Sequence, residues 1–203
     1  RKDTFIMEHK KINFDSLYYG FPVFLLTTAD EMGTTNVAPV SSGWVLGNNI
    51  IIGLGTDSKS FENIKITQEA VLNLTNEKLM ESVEKIAKYT GKKEISEQKS
   101  LMGYTYLEDK FSAGGFTAEK SNDVKPDKIK ECPVQIETRV AKINIRDWFA
   151  IIELEVLSVY ASEDIITDSL YIDPDKWQPL IYNFRKYYGL GNSIGKNFRF
   201  RDK

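Results

Sequence analysis

From Pro22 to Thr28 the chain reads PVFLLTT, a run rich in β-branched and aromatic residues that predicts a strand. Ala29-Asp30-Glu31-Met32-Gly33 follows as a turn and makes this strand one arm of a hairpin. Thr35 to Val40 and Gly43 to Leu46 continue in extended pattern. Gly47-Asn48-Asn49 then turns the chain into Ile50-Ile51-Ile52-Gly53-Leu54, whose uninterrupted apolar character predicts a strand buried on both faces. After the small polar loop Gly55-Thr56-Asp57-Ser58 the period changes. Phe61, Ile64 and Ile66, with polar residues between, predict a short helix of about two turns, for which Ser58 or Ser60 is the natural N-cap.

Ala70 to Leu74 returns to strand, and Glu77 to Tyr89 places Leu79, Met80, Val83, Ile86 and Ala87 on one face of a predicted amphipathic helix ended by Gly91. Lys92 to Lys130 is the most polar stretch and reads as a helix followed by a long loop. Its aromatic residues Tyr104, Tyr106, Phe111 and Phe116 are too many for a free tether, so it is expected to wrap over the rest. Pro133 to Asn144 and Trp148 to Tyr160 predict two long strands hairpinned around Arg146-Asp147. The tail, Asp173 to Arg199, reads as short helical pieces with an aromatic cluster and a Gly-Leu-Gly turn. No repeat interrupts this order, and the pattern is that of a mainly β chain with added helices.

Length and composition narrow the classes. A chain of 203 residues can build one well-buried core, and 41% hydrophobic with 28% charged residues is ordinary globular usage. A net charge of -2 offers no general attraction to nucleic acid or anionic lipid, so any anion must be bound locally. One cysteine, Cys132, and one histidine, His9, allow neither an internal disulfide nor a multi-ligand Cys/His metal site, and a reducing, cytoplasmic setting is expected. The longest apolar runs fall far short of the roughly 20 residues of a membrane helix. The first residues lack the apolar stretch of a secretory signal, and Asn73-Leu74-Thr75 is a glycosylation sequon not expected to be used.

The sharpest local feature is Thr56-Asp57-Ser58-Lys59-Ser60, between a buried strand and a helix start. A helix N-terminus exposes unpaired N–H groups and a partial positive charge, so a phosphate there would meet dipole, hydroxyls and Lys59 together. Plain capping is the competing explanation. The dipole contributes about 0.3 to 2 kcal/mol, whereas micromolar affinity needs about 8 kcal/mol; a second element must bury an apolar ring. Asn36-Val37-Ala38-Pro39-Val40-Ser41-Ser42 is a candidate because small residues let a flat ligand approach the backbone; an ordinary edge strand with a proline is the competing explanation. Gly53-x-Gly55-x-x-Ser58 imitates a dinucleotide fingerprint, but its third glycine is replaced and no strand-helix alternation follows. His9 in a charged segment is expected at the surface, Cys132 is expected buried rather than nucleophilic, and Glu94, Glu97, Glu153 and Glu155 read as solvated faces. A bound cofactor is therefore expected to carry any chemistry.

The order of pieces resembles the flavin reductase-like, FMN-binding split-barrel family. The resemblance runs through PVFLLTTADEMGTTNVAPVSSGW, the buried strand, TDSKSFENI and AVLNL, then Gly115-Phe116-Thr117, Glu131-Cys132-Pro133 and Tyr187-Tyr188-Gly189-Leu190-Gly191. It implies a single domain over residues 1–203, with a six-stranded Greek-key split β-barrel core at about 20–160 and an extension at 161–203. It also implies a homodimer with FMN near the subunit interface. The flavin ring and ribityl chain would lie along Asn36, Ala38, Pro39, Val40, Ser41 and Ser42, and the phosphate at Thr56, Ser58, Lys59, Ser60 and Asn63. Relatives of this kind take hydride from NADH or NADPH onto the flavin and pass electrons to an acceptor; a flavoredoxin-like carrier and a flavin-binding protein without turnover are the alternatives. Arg146-Asp147-Trp148 stands where many such reductases have Gly-Asp-His, which puts direct NAD(P)H oxidation in doubt and leaves FMN binding less affected.

Overall fold

The structure, a computed structural model, describes residues 7–201. Its main sheet has seven strands: β1 Phe24–Ala29, β2 Thr35–Val40, β3 Gly43–Leu46, β4 Asn49–Gly55, β5 Glu69–Leu74, β6 Val134–Ile145 and β7 Phe149–Ala161. Their order is β2-β1-β5-β6-β7-β4-β3, with every neighbouring pair antiparallel. The two edge strands, β2 and β3, are consecutive in the chain and joined by Ser41-Ser42, so the sheet has to curl back on itself. Its edges do not pair, which leaves a seam, and the Ser42 carbonyl there accepts from the Gly53 N–H at 2.8 Å. The count is thus seven strands in an unclosed sheet, where six in a Greek-key barrel were expected.

Strand alternation builds two cores from β1. Phe24 and Leu26 pack with Ile50, Ile52, Leu54, Leu72, Ile152 and Leu154, and α1 (Lys59–Thr67) adds Phe61 and Ile64 to this cluster. Leu25, with Val23 just before the strand, joins Val37, Val83, Ile86, Ile129, Cys132 and Leu180. β4 departs from the expected burial on both faces: Ile50, Ile52 and Leu54 are buried, but Ile51 and Gly53 are only half-buried. Among the described residues that outer face is only partly covered, with Leu17, Tyr18 and Phe21 beside Ile51 and Gly53, and Trp44, Val45 and Leu46 of β3 are exposed.

Ser58 is the N-cap of α1, its Oγ accepting from the Phe61 N–H at 3.1 Å, and Gln68 ends the helix at φ 58°. The predicted helix from Glu77 to Tyr89 divides. A 3₁₀ turn over Glu77–Leu79, capped by Asn76, leads into α2 (Met80–Ala87), and Tyr89–Thr90 pairs in parallel with Thr105–Tyr106. The polar middle is less of a loop than expected. It holds α3 (Glu97–Leu101), α4 (Lys110–Gly114) and the pair Ala118–Glu119 with Lys128–Ile129. The tail also differs: Ile181–Asn183 and Lys186–Tyr188 form a hairpin beside Tyr19–Pro22, because Tyr182 and Tyr187 pack against the second core. Asn73 of the sequon is fully buried, donating to the Leu25 carbonyl and accepting from Ile129, and is no surface acceptor for a glycan.

Candidate functional site

A cavity of about 340 Å³ opens where the β2–β3 seam, the end of β4, the N-terminus of α1 and the stretch after α2 converge. Its wall contains Asn36, Ala38, Pro39, Val40, Ser41 and Ser42 from the first predicted segment and Ser58, Lys59 and Ser60 from the second. Thr56 and Asn63 are not in the wall. The Thr56 N–H donates to the Trp148 carbonyl at 2.9 Å, which ties the loop to the β6–β7 turn. Asn63, one turn after Ser60 on the same face of α1, is fully buried, and its Nδ2 donates to the Thr28 carbonyl and hydroxyl. At these two positions the structure shows anchors rather than cavity groups.

The hydrogen bonds within the site set its polarity. Ser58 Oγ already accepts from Phe61, and Ser60 Oγ accepts from Asn36 Nδ2 at 3.2 Å. With those lone pairs engaged, each hydroxyl retains a hydrogen to donate, which suits an anion. Two nearby ammonium groups are held by carboxylates. Lys59 Nζ lies 2.6 Å from Glu62, whose carboxyl the Lys59 hydrogen bond holds below its ordinary range, and Lys99 Nζ lies 2.9 Å from Asp57. For Asp57 burial pushes upward, but hydrogen bonds from Lys99 and Ser96 outweigh it and the carboxyl is lowered.

Lys110 is different. It lines the cavity, is 3% exposed, and makes no ion pair among the described residues. Burial, with the positive charge of Lys99, pushes its ammonium down to about 8. A buried cation without a counter-ion is costly, and here it faces a cavity already rich in hydrogen-bond donors. The sequence reading missed Lys99, Lys110, Tyr18, Tyr104 and Gly91, because they come from segments whose local pattern is only polar or aromatic. Gly91 does not end α2; it permits close approach, since a Cβ there would lie 2.5 Å from Asn36 Oδ1 and 3.1 Å from Lys59 Cγ.

The residues set aside as catalysts are as expected. His9 is exposed. Cys132 is buried and its thiol is pushed well up by desolvation, so it is a poor nucleophile. Among the described residues no group of three or more His, Cys, Asp or Glu side chains could hold a metal. The Trp148 side chain is 74% exposed and outside the cavity wall, so within one chain it neither stacks over the cavity nor blocks it.

The profile of the flavin reductase like domain matches residues 16–191. The chain belongs to this family. A relative, the uncharacterized protein YdfE of Bacillus subtilis (strain 168), is 47% identical over 193 residues, which cover 94% of this chain and 93% of YdfE. Among solved flavin reductase-like structures, the flavoredoxin of Desulfovibrio vulgaris (Miyazaki F) superposes with a TM-score of 0.80 at 20% identity, covering 95% of this chain and 98% of that one. The flavoredoxin of Methanosarcina acetivorans gives 0.77 at 20% identity, covering 95% and 97%. These likenesses show a shared split-barrel fold. No helix among the described residues is long and apolar enough to cross a membrane.

Proposed function

We propose that this chain, acting as one domain over residues 1–203, binds FMN in the cavity and serves as an NAD(P)H-dependent flavin oxidoreductase. The observation that carries this reading is the convergence of two sequence-distant segments on one cavity with a donor-rich, cationic end and a small-residue wall. FMN has matching parts, a phosphate ester and a flat ring, and the volume lies at the lower end of the range of about 300–1,000 Å³ for ligand sites. Ser58, Lys59 and Ser60, with Lys99 and Lys110, hold the phosphate; Asn36, Ala38, Pro39, Val40, Ser41 and Ser42 hold the ring and its chain. Thr56 and Asn63 act indirectly, by fixing the loop and α1.

The chemistry that FMN supplies when bound is acceptance of hydride from NADH or NADPH and release of electrons to an acceptor. The chain contributes position. Asn36 fixes the Ser60 hydroxyl, Gly91 leaves room for Asn36 beside Lys59, and the curled sheet would shield a ring lying along Asn36–Ser42 from water. The exposed apolar face of Trp44, Val45 and Leu46 supports a homodimer, and the lone buried thiol supports work in the cytoplasm.

A second reading, a flavoredoxin-like carrier fed by a protein partner, is favoured by Trp148, which stands exposed where relatives often have histidine. Anaerobic mixing of the FMN-loaded protein with NADH, and then NADPH, separates the two. Bleaching of the flavin absorbance is expected; its absence with both nucleotides would leave the carrier reading. Gly91→Ala tests the site itself. By displacing Asn36 from Ser60 it is expected to raise the dissociation constant for FMN roughly tenfold, read by flavin fluorescence quenching.

A further inference from the structure

A second cavity, of about 620 Å³, adjoins the first and shares Tyr18, Pro39, Val40, Ser41, Ala87 and Tyr104 with it. Its remaining wall includes the C-terminal hairpin, through Tyr182, Arg185 and Tyr187, and α2. The aromatic rings form a continuous surface: Tyr18 meets Tyr182 edge-on at 5.4 Å between centroids, and Tyr182 meets Tyr187 at 5.6 Å. The Tyr187 hydroxyl donates to Glu84 at 2.8 Å, which occupies the carboxylate on this wall. Arg185 has one ion pair, 3.5 Å from Asp15 on the N-terminal segment, with both partners largely exposed. Such a pair holds the guanidinium only weakly.

The hairpin turn adds an independent observation. Asn183 pairs with Lys186, so Phe184 and Arg185 are the two turn residues, and their φ values are 45° and 67°. Two-residue hairpin turns of this kind call for Asn-Gly or a similar pair, because side chains are disfavoured at positive φ. Here two large side chains occupy both positions, and the Phe184 N–H anchors the turn to the Tyr18 carbonyl at 2.6 Å. Retained strain of this type is a pointer to function.

We propose that this annex is a second binding site, for a flat aromatic ring carrying a carboxylate or phosphate, with the ring against the tyrosines and the anion on Arg185. The site rests on the FMN reading only in that its shared wall would set such a ring beside the flavin. The occupant is a free aromatic acid; binding of the nicotinamide end of a dinucleotide through Arg185 alone is the competing outcome, which the test separates. The dissociation constants of benzoate, benzamide and NADH are measured by calorimetry on the protein as purified and after FMN loading, in the parent and in Arg185→Gln.

Benzoate is expected to bind at least tenfold more tightly than neutral benzamide, and Arg185→Gln to remove that difference while leaving the FMN dissociation constant unchanged. If NADH alone shows the dependence on Arg185, the annex is only the place of the proposed hydride donor and the proposal falls. Equal binding of benzoate and benzamide would overturn the proposal. Arg185→Gly, which suits the positive φ, is the second variant: the same loss of affinity is expected with a thermal midpoint no lower than the parent's, so the loss is not misfolding. Should FMN itself fail to bind, the functional reading falls, and the benzoate comparison still decides the annex.

Discussion

Lys110→Met is expected to weaken FMN binding by about 10- to 100-fold while changing riboflavin binding little, the scale of one hydrogen bond to a charged group at about 1.5–3 kcal/mol. Of the three lysines that line the cavity, only Lys110 lacks an ion-paired carboxylate among the described residues, so its loss removes positive charge that none of them balances. Riboflavin has the ring without the phosphate and serves as the control. Fluorescence titration of both ligands checks the result, and an equal loss for the two would place the phosphate elsewhere.

The same substitution is expected to stabilise the ligand-free protein. Lys110 is depressed to about 8 from the ordinary 10.5, so the folded state binds fewer protons than the unfolded state between those limits, and stability rises with pH across them. At pH 7 the buried charge costs the fold on the order of 3 kcal/mol, given a side chain almost wholly buried. Denaturant unfolding should therefore show Lys110→Met more stable than the parent at pH 7, with the gain fading as pH climbs toward 10.5. FMN affinity in the parent is expected to fall as pH rises past about 8, where the free protein loses this charge. The residue thus costs stability and serves the ligand.

Glu137→Ala is expected to be the most damaging change away from the cavity. Glu137 on β6 is fully buried, and its carboxylate accepts from the backbone N–H groups of Asn122 and Asp123 at 2.6–3.2 Å. Lys128 Nζ, almost as deeply buried, lies 3.7 Å away and sits 4.2 Å over the ring of Tyr160. Removing the carboxylate orphans two amides and leaves Lys128 with only Glu119, 3.6 Å away and part-exposed. Breaking a buried pair from one side costs about 3–5 kcal/mol, which for a chain of this size lowers the thermal midpoint by roughly 10 °C. The double change Glu137→Leu with Lys128→Met is expected to recover much of that, since it leaves no unpaired charge. A calorimetric scan of the three proteins checks both statements. The stretch pinned by this cluster follows α4, so the same variant should also loosen the hold on Lys110.

Local pattern carried much of the candidate site. The strand-to-helix junction at Ser58–Ser60 and the small-residue run Asn36–Ser42 were legible because capping chemistry and side-chain size are properties of a few adjacent residues. The resemblance put Asn63 with the phosphate, and in the structure its side chain donates to Thr28. The tail hairpin escaped detection: Tyr182 and Tyr187 owe their strand geometry to packing against α2 and the second core, which local propensity does not contain.

By itself, then, the order of residues determined the mainly β character, the long β6–β7 hairpin, the cap at Ser58 and the supply of only one thiol and one imidazole. Tertiary structure alone decided which lysines face the cavity, that Gly91 makes room for Asn36, and that Lys110 is buried without a counter-ion. Periodicity and capping act over a turn or two of chain, whereas desolvation and charge pairing depend on groups up to about a hundred positions apart, as between Glu84 and Tyr187.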